Sequence, residues 1–146
     1  MKVNEVMTRN VCVANPRMSI AEAARMMADC DSGALPVGED DRLVGMITDR
    51  DIAIRAVARR LSADTAVREV MSHELLYCYD DEDIVEIAQN MSEQQIRRLP
   101  VVNRDKRLVG IVSFGDVALY SHADHAGEAI AGISRPGGRH DQVAVH

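Results

Sequence analysis

The stretch "LVGMITDRD" at residues 43–51 returns almost intact as "LVGIVSFGD" at 108–116. Both keep Leu-Val-Gly, a hydroxyl at Thr48 or Ser113 and an acid at Asp51 or Asp116, while the residues between them change. Each reads as an apolar strand that ends in a polar turn and enters a helix. A chain that writes one strand and turn twice points to two copies of one unit.

The repetition extends outward. "VNEVMTRN" at 3–10 falls on "VREVMSHE" at 67–74, Met27 on Met91, and "LPV" at 35–37 on "LPV" at 99–101, all at an offset of 64. One residue is gained in the next turn, so Leu43 and Asp51 fall on Leu108 and Asp116 at an offset of 65. The copies read as 1–61 and 62–122, followed by an extension at 123–146 whose Pro136-Gly137-Gly138 suits a mobile or partner-packed tail.

Within each copy the local signals agree. Ser19 and Glu22 form a capping box ahead of Ile20, Ala23, Ala24 and Met27, and Asp83 with Glu86 repeats the arrangement. Short β-like pieces, "VCV" at 11–13 and "LLYCY" at 75–79, precede these helices. A strand "ALPV" or "LPV", a polar turn "GEDDR" or "NRDKR" and the repeated Leu-Val-Gly strand then make a hairpin. The order is β-α-β-β-α per copy, an α+β unit too small to cover its own sheet, so two copies should pack together about an approximate twofold axis.

The chain has 146 residues with aromatics at 3% and no Trp, so Val, Ile, Leu, Ala and eight Met must fill the core. A net charge of −6 disfavours binding to nucleic acid. Cys12, Cys30 and Cys78 are odd in number and lack a C-x-x-C spacing. They read as buried thiols of a reducing compartment, not as a disulfide framework or a zinc site. No segment has the apolar length of a signal peptide or a membrane span, and the cytoplasm is the expected location.

The repeated β-α-β-β-α order, the leading Val-x-x-Val-Met, the Leu-Pro-Val strand and the G-h-[IV]-[TS]-x-x-D ending resemble the CBS domain, and two in tandem resemble a CBS pair, or Bateman module. The resemblance covers about residues 1–120. It implies a regulatory module, not an enzyme, that takes AMP, ADP, ATP, NAD(H) or S-adenosylmethionine in clefts between the copies. It also implies a homodimer joined through outer helices, for which Ile52, Ala53, Ala56, Val57, Val117 and Ala118 could supply the surface or equally be the inner face of each helix, and an unidentified protein partner.

Carried over, Asp51 and Asp116 would hold the ribose hydroxyls, with Thr48 and Ser113 near the phosphate. A carboxylate accepts from two adjacent hydroxyls at once, so the chemistry suits a ribose. The same residues also suit helix caps, and both roles can coexist. The glycine of each repeat is expected to let chain and ligand approach closely. Before the "LPV" strands, copy two has Arg97-Arg98 where copy one has Gly33-Ala34, whereas copy one has Arg50 inside its motif where copy two has Gly115. Two unequal sites, or one occupied site, are expected. Arg55, Arg59 and Arg60 read as the wet face of a helix. Two other functions stay open: an interaction scaffold without ligand, and a metal protein using His122 and His125 with Asp124.

Overall fold

The computed structural model describes residues 1–120, apart from the side chains of residues 118 and 119. The extension at 123–146 and the His122–His125 pair therefore lie outside the described residues. The chain divides into two compact units. The first-copy unit is Cys12–Leu75 with Lys106–Leu108, and the second-copy unit is Met1–Val11, Leu76–Asp105 and the chain from Val109 onward. The copies read from sequence and the units in space thus differ in their leading segments.

In the first-copy unit, α2 (Ile20–Cys30) starts where Ser19 Oγ accepts the Glu22 N–H at 3.1 Å. It buries Ile20, Ala23 and Met27, and ends on Asp31 in the left-handed region at φ 49°. Strands β1 (Ala34–Glu39) and β2 (Arg42–Thr48) pair antiparallel, with Ala34 opposite Thr48 and Glu39 opposite Arg42. Asp40 and Asp41, at φ 53° and 63°, make the two-residue turn between them. Both positive angles match the twist of the strands, and Asp tolerates them.

After β2 comes α3 (Asp49–Asp51), which runs directly into a π-helical stretch at Ile52–Val57. Its wider turn is closed by the Ala58 N–H donating to Ala53 O, five residues back. A 3₁₀ turn at Val67–Glu69 completes the unit. Leu35, Val37, Ile47, Ala56, Val67 and Val70 form its core.

The second-copy unit repeats the plan. It holds α1 (Val3–Val6), β3 (Cys78–Tyr79), α4 (Ile84–Gln94), β4 (Arg98–Val102), β5 (Leu108–Ser113) and α5 (Phe114–Tyr120). The strands lie in the order β3-β4-β5. Asp83 caps α4 through the Val85 N–H at 2.9 Å, and Gln95 ends it at φ 55°. Val3, Ile87, Met91, Val101, Val112 and Val117 are fully buried here.

The repeated glycine has a structural reason. Thr8 and Ile111 exchange two backbone hydrogen bonds at 2.9 and 3.0 Å, laying the leading segment against β5. A Cβ on Gly110 would stand 2.7 Å from Met7 Sδ and 2.8 Å from Thr8 O. In the first-copy unit Met46 and Ser72 bond in the same way, and a Cβ on Gly45 would stand 2.5 Å from Ser72 O. The expected role of these glycines beside a ligand is therefore corrected: the close neighbour of each is a crossing Val-Met segment. The "VCV" piece is also no strand; only Ala14 bridges to β1, through Val37.

The cysteine reading is corrected as well. Cys12 and Cys30 form a disulfide across 18 residues, their Cα atoms 6.7 Å apart. Packing of α2 beside the segment that leads to Ala14 brings the two together, a long-range contact that local spacing does not encode. Cys78 is a free thiol, as read, and it is buried, with its pKa pushed up to about 12 by burial first and then by the charges of Glu82 and Asp80. With a disulfide present, the argument from cysteines to a reducing compartment loses its basis.

Candidate functional site

Each copy closes the same small ring at the end of its Leu-Val-Gly strand. In the first, Thr48 Oγ1 accepts the Asp51 N–H at 3.0 Å, and Asp51 Oδ2 accepts the Thr48 N–H at 3.0 Å. In the second, Ser113 Oγ accepts the Asp116 N–H at 3.2 Å, and Asp116 Oδ2 accepts the Ser113 N–H at 2.7 Å. These are capping boxes. Each uses one oxygen of the carboxylate and leaves the other outside the ring.

The oxygens outside the rings differ. Asp51 Oδ1 faces Arg55 Nε at 3.8 Å, and Arg55 Nη1 also donates to Val70 O and Met71 O at 3.2 and 3.3 Å. Arg55 thus ties the motif helix to the end of the 3₁₀ turn while staying on the exposed face of the helix, as read, with its side chain 45% accessible. The signal available in the sequence was the i, i+4 spacing from Asp51. In copy two the corresponding position is Tyr120, which is exposed.

The residues preceding the "LPV" strands lie beside these rings. The Asp49 N–H donates to Gly33 O at 2.9 Å, and the Phe114 N–H donates to Arg97 O at 3.0 Å, so the two offsets superpose the same geometry. The structure brings Gly33, Ala34, Thr48, Arg50 and Asp51 together in one unit, and Arg97, Arg98, Ser113 and Asp116 in the other. Arg97 and Arg98 are exposed. Neither their guanidinium groups nor that of Arg50 have a partner among the described residues.

One acid was missed. A Cβ on Gly33 would stand 2.7 Å from Asp49 Oδ2, so this carboxylate lies over the glycine. Its Oδ1 accepts the Arg50 N–H at 2.8 Å. In copy two, Phe114 takes this position and packs against the core. Of the expected outer-helix surface, Ala56 and Val117 are fully buried and Ile52 packs on the core, while Val57 is 67% exposed. Among the described residues, no group of three His, Cys, Asp or Glu side chains could hold a metal, and no helix is long and apolar enough to cross a membrane.

Two capped hydroxyl–carboxylate rings, each at the end of a hairpin that follows an α-helix, fit a tandem CBS architecture. The CBS domain family matches residues 3–57 and 67–123, and the chain belongs to that family. It is 42% identical over 133 residues to the CBS domain-containing protein YhcV of Bacillus subtilis, covering 90% of this chain and 94% of that one. Among solved structures it is similar to Hypoxic Response Protein I with two coordinated zinc ions, at 36% identity and a TM-score of 0.76, covering 84% of this chain and all of that one. It is also similar to the CBS domain pair of MJ0100 in complex with 5′-methylthioadenosine and S-adenosyl-L-methionine, at 30% identity and a TM-score of 0.72, covering 82% of this chain and 94% of that one.

Proposed function

We propose that the protein is a regulatory sensor, not an enzyme, which binds an adenosine-containing ligand at its hydroxyl–carboxylate motifs and passes occupancy to a protein partner. AMP, ADP, ATP and NAD(H) are the ligands we favour for the second copy, where Arg97 and Arg98 suit a phosphate. The observation that carries the reading is the second carboxylate oxygen of Asp116. It takes no part in the ring and has no partner among the described residues, so it would be available to ribose hydroxyls while the other oxygen caps the helix. The adenosine ligands held by the similar MJ0100 pair support the same class.

Signalling would follow from differential affinity: a ligand shifts an equilibrium between arrangements only as far as it binds them unequally. The sensor would act as a homodimer, for which Ile54, Val57 and Leu61, exposed by 46, 67 and 43%, supply an apolar strip. Thermal unfolding with AMP, ADP, ATP, NAD, NADH and S-adenosylmethionine tests the reading. A ligand at a hundred times its Kd adds about 2.7 kcal/mol, a shift of several degrees. The shift should vanish in Asp51→Ala or Asp116→Ala. If no ligand moves the midpoint and both variants merely unfold earlier, the motifs are caps alone and the scaffold reading replaces this one.

A further inference from the structure

The Cys12–Cys30 bridge lies where the two copies hold the same turn by different means. In copy two, α4 ends on Gln95, and the next residue, Ile96, packs against the core, as does Phe114, whose N–H donates to Arg97 O at 3.0 Å. Apolar contact thus holds both sides of that junction. In copy one the matching residues are Ser32 and Asp49, both polar, and Asp49 is exposed. The junction keeps its form, with the Asp49 N–H on Gly33 O at 2.9 Å, but both apolar anchors are gone. What copy one has instead is covalent. Cys30 is the last residue of α2, three residues before Gly33, and it is bonded to Cys12. Cys12 in turn stands two residues before Ala14, which is held on β1 by bonds to Pro36 O and from the Gly38 N–H, both 2.9 Å. Copy two has Leu76 and Gln94 at the matching positions and no means of forming a bridge there.

We infer that the bridge is a thiol–disulfide exchange site whose redox state sets the order of the first motif and leaves the second untouched. Both cysteines are partly exposed, in an open depression with Val13, Glu22, Arg25, Met26 and Asp29, so a dithiol can reach the sulfurs. Its thiolate attacks one cysteine sulfur, the S–S bond breaks, and the other cysteine leaves as a thiolate and takes up the proton that the attacking thiol released. The second thiol of the reductant then displaces the first cysteine. Two electrons have passed to the bridge, and the reductant departs as a cyclic disulfide. The rest of the unit has its own supports, since Ser19 caps α2 and Ile20, Ala23 and Met27 stay buried. What reduction frees is the end of α2, and with it the Asp31-Ser32-Gly33 turn that carries the bond from Asp49. The inference takes the first motif as a binding site from the reading above, yet its test needs no ligand, so the two can fail separately.

The test is made on the full chain, nitrogen-labelled, in dithiothreitol buffers of set reduced-to-oxidised ratio, with circular dichroism to verify that the reduced chain stays folded. By two-dimensional NMR the amides of Gly33 and Asp49 should move on reduction and return on reoxidation, while those of Arg97 and Phe114 keep their positions. Coupling is reciprocal, so disturbing the motif must also disturb the bridge. Asp51→Ala, which removes the first cap, should let the bridge reduce at a ratio about fivefold lower than in the wild type, the lower end of ordinary coupling between sites. Asp116→Ala should leave that ratio unchanged. Cys30→Ser should show the amide positions of the reduced wild type with or without dithiothreitol. If the shifts end before Gly33, if both acid variants move the ratio alike, or if the bridge opens only as the chain unfolds, the switch is overturned and the bridge is a structural staple alone. The amide comparison uses the wild type, so it decides the matter even where Asp51→Ala fails to fold.

Discussion

At the scale of single residues, the repeated glycine and the repeated acid are kept for different reasons. Gly45 and Gly110 admit a crossing backbone, so Gly45→Ala or Gly110→Ala should destabilise by about 1–3 kcal/mol, as overpacking does. Gly115→Ala, with only Ser113 Oγ nearby at 3.4 Å, should be neutral or slightly stabilising; urea unfolding of the three variants checks the contrast. The acids were legible as caps and as ligand candidates alike. The place of Asp49 over Gly33 and the bonds of Arg55 to the carbonyls of Val70 and Met71 were not, because only tertiary packing brings those groups near; of Arg55 the sequence offered only its i, i+4 spacing from Asp51. Cys78 gives a pH dependence. Its folded pKa, about 12, lies above the ordinary 9.0, so the folded state keeps a proton that the unfolded state gives up. Its contribution is whole below pH 9.0 and declines toward 12, by at most about 1.4 kcal/mol per pH unit. Cys78→Ala should flatten that alkaline decline in urea unfolding at pH 8 to 11.

At the scale of elements, the helices and hairpins were readable because each carries its own instructions. Ser19 and Asp83 cap helices with apolar residues at helical spacing, and the polar turn at Asp40-Asp41 sets a register confirmed by Glu39 opposite Arg42. The π-helical stretch was not readable, since "DIAIRAVARRL" has the pattern of an ordinary amphipathic helix. Nor was the Cys12–Cys30 bridge, which depends on how α2 lies against the segment before Ala14. That bridge closes a loop of 18 residues, and in the chain-entropy account it stabilises by about 3 kcal/mol. Dithiothreitol should therefore lower the unfolding midpoint by several degrees. Cys12→Ser should melt at the lowered temperature with or without the reductant, and an equal response of variant and wild type to dithiothreitol would contradict the bridge.

At the scale of the whole molecule, the exchange of leading segments was hidden by the repeat itself. Met7 faces Gly110 and Met71 faces Gly45, yet in sequence each belongs to the other glycine's copy. Two identical knobs fit two identical holes, so no pattern of residues says which pairing is made. The choice has a measurable result. A fragment of residues 12–75 keeps the segment that packs on its own β2, whereas 1–61 carries a segment that packs elsewhere in the intact chain. The first should unfold cooperatively by circular dichroism in urea, and the second should be less stable. Equal stability of the two would show that either segment serves either strand. The exchange also bears on inheritance: a recombination break at residues 61 and 62, the natural seam of the duplication, would part Met7 from Gly110 and Met71 from Gly45 in a single event. The two halves of such a gene are bound to travel, and to diverge, together.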